Sequence, residues 1–209
     1  SQLQPVADMS DPLRIVIGNP NLKPTFNHSI RVRFHNFAPE AQRSIMTMAD
    51  VRLAQNSIIS RTDFNNETGG QKTTYENVNG VWSAMAMNMI SFPLKNRSFT
   101  INNHLMMHYN HSVGYNNGQR NNSGSLGLNE SFGLAWRPEN VELEFRPRYG
   151  LQYVKNTLQL SGQNTVHSYG ASLYGTYNTP FGLVLNTDLN YSATSGYSQG
   201  YDTRQWMWN

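Results

Sequence analysis

Three groups of residues have the types and spacing for chemistry. The first is His104-Leu105-Met106-Met107-His108. Two imidazoles four residues apart would share one zinc ion on a helix, but the glutamate of the corresponding hydrolase motif is missing. On a strand, His104 and His108 share a face yet stand about 13 Å apart, too far for a single metal, and His111 falls on the opposite face. Both are read as water-facing polar lining. The second group is Glu142, Glu144, Arg146 and Arg148, at alternate positions of one strand. It could form cross-strand ion pairs, a docking surface for another domain, or a charged step on a substrate path; ion pairing within the wall is the expectation. The third is the general abundance of Ser, His and Asp. No Gly-x-Ser-x-Gly elbow occurs, and no acid and base converge on one strand end. No catalytic residue, metal ligand or cofactor is expected, and the ligand-binding residues stay unassigned.

These residues need elements to hold them, and the elements are strands. Period-two alternation runs through Val141, Leu143, Phe145, Tyr149, Leu151 and Tyr153, against Glu142, Glu144, Arg146, Arg148 and Gln152. Leu126, Leu128, Phe132, Leu134 and Trp136 repeat the pattern, as do Tyr169–Tyr177, Leu183–Tyr191 and Phe99–Tyr109. Residues 26–37 alternate through Ile30, Val32 and Phe34. The segment 39–55 can be drawn as a helix from Pro39, but its neighbours favour a strand.

Composition narrows what such strands build. Charged residues are 14% of the 209, against about 25% in ordinary soluble domains, with Asn, Ser, Thr, Gly and Tyr in their place. The net charge of +3 is scattered, with no dense basic face of the kind nucleic acid requires. Cysteine is absent, which removes thiolate chemistry and disulfides. No apolar run is long enough for a transmembrane helix, so the remaining route into a membrane is a β-barrel.

Connection lengths select that route. Short links near 38–43, 93–96, 138–140 and 179–182 alternate with longer polar ones near 65–72, 116–124, 155–164 and 193–204, as the two rims of an outer-membrane barrel do. Phe92, Phe99, Trp136, Tyr177 and Phe181 sit beside the short links. Tyr109, Tyr153, Tyr169 and Tyr191 lie farther along their strands, at a separation that rises roughly 25 Å when tilted, the height of an apolar band between aromatic girdles. The expected fold is all-β, an antiparallel up-and-down segment of a large transmembrane barrel, apolar face to lipid and polar face to water. A soluble lipocalin-like barrel with the faces reversed, and an outer-membrane barrel enzyme, are the alternatives.

Gly18-Asn19-Pro20-Asn21-Leu22-Lys23-Pro24 precedes the first long strand. Its two prolines fix φ and push Asn19 and Lys23 toward extended backbone, making a stiff corner. This stretch resembles the Asn-Pro-Asn-Leu-Lys-Pro signature of TonB-dependent outer-membrane receptors, and in particular the Bacteroidota group of TonB-receptor-like barrel proteins. Residues 73–82 (TTYENVNGVW), 117–120 (NGQR) and 195–206 (SGYSQGYDTRQW) are similar to segments at matching places in that group. The resemblance covers nearly the whole chain in order. It implies a parent of about 22 strands with a plug domain, energised by the TonB complex, importing a ligand such as a siderophore, vitamin or glycan. On that expectation residues 1–24 form an extracellular loop segment, and residues 25–209 supply about eight strands and the start of a ninth, truncated before the C-terminal strands. Partners would be the TonB complex through the missing plug, outer-membrane lipid and the ligand, with no nucleic acid. Tyr75, Tyr115, Tyr197 and Tyr201 would then stand at the outer mouth.

Overall fold

The computed structural model describes residues 2–65, 67–94, 98–158, 165–197 and 201–209, all strand, turn or extended connection, with no helix among them. The strands are β1 (Ala7–Asp11), β2 (Arg14–Ile17), β3 (Phe26–Ala38), β4 (Arg43–Gln55), β5 (Ser57–Phe64), β6 (Gln71–Val78), β7 (Val81–Pro93), β8 (Phe99–Asn116), β9 (Gln119–Trp136), β10 (Val141–Asn156), β11 (Thr165–Asn178), β12 (Val184–Ser195) and β13 (Thr203–Trp208).

Nine of them form one antiparallel sheet in the order β13-β12-β11-β10-β9-β8-β7-β4-β3. Chain neighbours are sheet neighbours throughout, except where β5 and β6 are inserted between β4 and β7. Because registers carry across strand after strand, face membership carries too. Ile30 opposes Val51, which opposes Ala84, Tyr109 and Leu126 in turn. That rank is apolar. One residue over, Arg31 opposes Asp50, then Met85, His108 and Gly127. The large residues of the first face stand open: Ile30, Val32, Phe34, Phe145, Leu173 and Trp206 are all exposed. A sheet that leaves its apolar face uncovered needs a non-aqueous surround, which lipid supplies.

The ladder between β9 and β10 has one gap. Partners run from Leu143↔Trp136 to Phe145↔Leu134 and resume at Arg148↔Ser131, skipping Arg146 and Pro147. On its other side β10 pairs with β11 continuously through the same residues. Proline has no N–H to give, so one ladder must yield at Pro147.

Two details depart from the sequence expectation. The stretch 116–124 is not a long loop: β8 and β9 continue to a two-residue turn at Asn117 (φ 46°) and Gly118 (φ 75°). Both angles are positive, the condition for a type I′ hairpin, which Asn-Gly meets at least cost. Residues 2–24 also hold more than loop. β1 pairs with β2, and β2 adds in parallel to β6, giving a second sheet of order β1-β2-β6-β5 whose β5 end meets the tip of the β8–β9 hairpin, away from the short turns of the main sheet. The backbone leaves β4 for β5 at Asn56 (φ 54°) and returns to β7 through Gly80 (φ 98°). Within the segment 39–55 there is no helix: residues 39–42 form a turn and Arg43–Gln55 is strand, as its neighbours predict. Residues 159–164 of the 155–164 link, and 198–200 of the 193–204 link, lie outside the described residues.

Candidate functional site

The polar face carries a groove of about 400 Å³ lined in part by His104, Asn129, Ser131, Arg148, Ser168 and Ser192. Its floor is kept low by glycines. Gly150 faces Asn129 and Ser168, and the Arg148 guanidinium lies over Gly170, where a Cβ would press against it. A second cavity of about 330 Å³ continues past His104 and Ser131 to Asn102, Ser91, Ser44 and Arg146. Together they form a hydroxyl- and amide-rich track across β4 to β12.

The charged quartet lies on this face, but the expected cross-strand ion pairs do not form. Glu144 pairs with Arg146 on its own strand, and Glu142 pairs with Arg137 at the β9–β10 turn, at 2.7 Å. The reason is the opposing residues: Glu144 faces Ala135 and Tyr174, and Arg148 faces Ser131 and Gly170, so no opposite charge lies across. Arg148 makes no ion pair among the described residues. An exposed guanidinium on the groove, with five donors in a fixed fork, is suited to a carboxylate or phosphate. Farther along, Asp50 is 4% exposed and is held between Arg31 at 2.8 Å and Arg52 at 2.7 Å.

Beside the second sheet, the Gly18–Pro24 corner is clasped by β6. Asn77 Oδ1 accepts from the Lys23 N–H at 2.7 Å, and its amide donates to the carbonyls of Lys23 at 2.9 Å and Asn56 at 2.8 Å. Asn19 donates to the Tyr75 carbonyl at 2.9 Å, and Thr25 to that of Asn56 at 3.0 Å. A segment whose prolines cannot join a ladder is thus tied down by side-chain amides that imitate one. Nearby, Arg61 pairs with Glu76 at 3.0 Å and Asp63 at 3.2 Å and lies 5.3 Å from the Tyr115 ring centroid. Its pKa is raised above the ordinary guanidinium value by the hydrogen bonds to Glu76 and then Asp63. Asn117 accepts from the Phe64 N–H at 3.3 Å, joining the β8–β9 tip to β5.

A family model described as "Outer membrane protein beta-barrel family" matches residues 1–209. The chain belongs to that family. No curated protein and no solved structure matches it. As an outer-membrane barrel protein its location is the outer membrane, and its uncovered apolar face meets lipid while the groove face lines the barrel interior. This removes the soluble lipocalin-like alternative, whose apolar residues would be inside. The two aromatic levels follow: Phe99 and Trp136 stack at 6.2 Å beside the short turns, and Trp82 and Tyr109 meet at 4.8 Å toward the other rim.

The barrel's lipid face is not wholly apolar. Glu130 opposes Leu105 and Tyr149 on that face and accepts from Asn103 at 2.8 Å, and Asn88 donates to Thr47 at 2.8 Å beside them. The alternation of residues 125–136 steps over Glu130, so the signal was present as an interruption. Neither Asn77 nor the glycine floor can be found from spacing alone, because each acquires its role from a partner strand. Among the described residues no three His, Asp or Glu side chains gather into a metal-binding group. His104 and His108 share the interior face, as expected from the strand spacing, and His111 lies on the other, beside Gly80.

Proposed function

We propose that this chain forms wall and outer-mouth structure of a TonB-dependent outer-membrane transporter, which binds a ligand such as a siderophore, vitamin or glycan and imports it when energised by the TonB complex through a plug. The observation that carries this reading is the Asn-Pro-Asn-Leu-Lys-Pro corner held by Asn77 and Asn19 against the TTYENVNGVW strand: two stretches that resemble that receptor group meet in space. The groove supports it, since serine, asparagine and histidine offer exchangeable hydrogen bonds to a polyhydroxylated solute. Arg148 supplies a positive anchor for an acidic group on it. The segment acts by shape and hydrogen bonding, and no bond-making step is assigned to it.

The test is uptake by the source cells of a panel of ferric siderophores, cobalamin and oligosaccharides. Removing the parent protein is expected to abolish uptake of one member, and removing TonB to abolish uptake of the same one. Uptake of the whole panel that persists without the parent, or a loss that TonB removal does not reproduce, overturns the reading.

A further inference from the structure

Six of the nine methionines fall on one patch of the interior face. Registers of β4, β7 and β8 stack them in three ranks. Asp50 opposes Met85, which opposes His108; Met48 opposes Met87, which opposes Met106; Met46 opposes Met89, which opposes His104. Directly opposed residues hold their Cβ atoms about 4.5–5.5 Å apart and diagonal ones about 7–8 Å, within the reach of long, flexible thioether arms. The distance that separates His104 from His108 along β8 is therefore bridged by Met85, Met87, Met89 and Met106.

Such a patch is unexpected where it lies. The interior of a membrane barrel is lined by polar groups, and thioethers are poor hydrogen-bond partners for water. What thioethers do well, beside imidazole, is bind soft cations. His108 adds an independent sign. Its ring lies over Gly127, close enough that a Cβ there would overlap it. Its Nδ1 is buried with no hydrogen-bond partner among the described residues.

We propose that Met85, Met87, Met106 and His108 bind a soft monovalent cation, Cu(I) or Ag(I), on the barrel's interior wall, with Met89 and His104 forming a second stop one rank toward the short turns. Charge places the site on β7 and β8. Arg33 Nη2 points at Met48 Sδ, 4.0 Å away, which repels a cation from the β4 side, and Asp50 is already matched by two arginines. The remaining ligands are all neutral. A neutral thioether and imidazole set favours a singly charged soft ion over Zn(II) or Mg(II), which prefer thiolate, carboxylate or water. The site rests on register and ligand chemistry and stands or falls apart from the transport reading.

The experiment is anaerobic titration of the protein, purified from outer membranes in detergent, with Cu(I) against a chromogenic chelator, with Zn(II) run in parallel. Wild type is expected to withdraw Cu(I) from the chelator, with sulfur and nitrogen neighbours in X-ray absorption, and to bind Zn(II) far more weakly. Met87→Leu/Met106→Leu should weaken Cu(I) binding at least tenfold. Met107→Leu, next in sequence but on the lipid face, should bind as wild type. Should the double variant not fold, Met85→Leu/His108→Asn carries the same expectation. No Cu(I) uptake, Zn(II) bound as tightly as Cu(I), a double variant that binds like wild type, or equal loss in Met107→Leu would each overturn the proposal. Leucine variants that alter only stability would mean that the patch is a packing surface.

Discussion

Replacing Asn77 with alanine should loosen the Gly18–Pro24 corner and leave the main sheet intact. The side chain makes three hydrogen bonds, one accepted and two donated, with distances from 2.7 to 2.9 Å. A net worth of about 0.5–1.5 kcal/mol each gives a gross range of about 1.5–4.5 kcal/mol, and because the two bonds to Lys23 are solvent-exposed, the lower third applies. The expected loss is about 1.5–2.5 kcal/mol of local closing free energy. At about 1.4 kcal/mol per tenfold, amide exchange at Lys23 and its neighbours should quicken by roughly 10- to 60-fold. The corner should not detach, since Asn19 still holds the Tyr75 carbonyl and Thr25 that of Asn56. Asn77→Asp sharpens the test. It keeps the acceptor for the Lys23 N–H but turns a carboxylate oxygen toward two carbonyls, so exchange should be at least as fast as in the alanine variant. The assay is deuterium exchange by mass spectrometry, comparing peptides across residues 18–26 with peptides across the β8–β9 hairpin. Exchange at 18–26 within twofold of wild type, or an equal rise in β8–β9, would refute the clasp.

Three further outcomes are expected. Gly118→Ala places a Cβ at φ 75° and should cost about 1 kcal/mol, read as a lower urea midpoint with unchanged slope. The chain has no cysteine, so single cysteines report the faces directly: Ser131→Cys and Ser168→Cys should react with a membrane-impermeant maleimide in intact membranes, whereas Leu128→Cys and Leu173→Cys should be protected. Glu130→Leu removes a carboxylate from the lipid face and should raise the denaturant midpoint in lipid vesicles; a fall would mean that another surface, and not lipid, covers Glu130.

The wall was legible in the sequence because its two faces meet different solvents, and period two records that contrast. Leu126 to Trp136 and Val141 to Tyr153 show it most plainly. Where both faces meet water, above Tyr109 and Leu126, the contrast vanishes. The polar residues 119–124 therefore looked like loop although they pair strand to strand. Turn chemistry held the missing information, since Asn117-Gly118 closes a hairpin in two residues. The candidate sites were less legible for a geometric reason. Along one strand His104 and His108 stand about 13 Å apart, and sequence spacing carries nothing more. The methionines that fill the space between them come from β7, and only pairing register brings them there. Asn77 serves a corner 54 residues away, and no local pattern announces that. Period two puts Glu142, Glu144, Arg146 and Arg148 on one face, but their partners depend on what lies opposite, which includes Ala135, Gly170 and Ser131.

The gap at Arg146 and Pro147 gives the wall a mechanical character. A ladder with every rung present resists bending across it, and removing rungs at one level concentrates compliance there. The sheet is in that sense two panels, β3 to β9 and β10 to β13, joined along a line that is stiff at both ends and slack near Gly133 and Pro147. Glu144 reaches over Gly133 from the other panel while gripping Arg146 beside the missing rungs. A strain that opened the seam would be felt first as a shift of that carboxylate, which makes the ion pair a gauge of how far the two panels have folded toward one another.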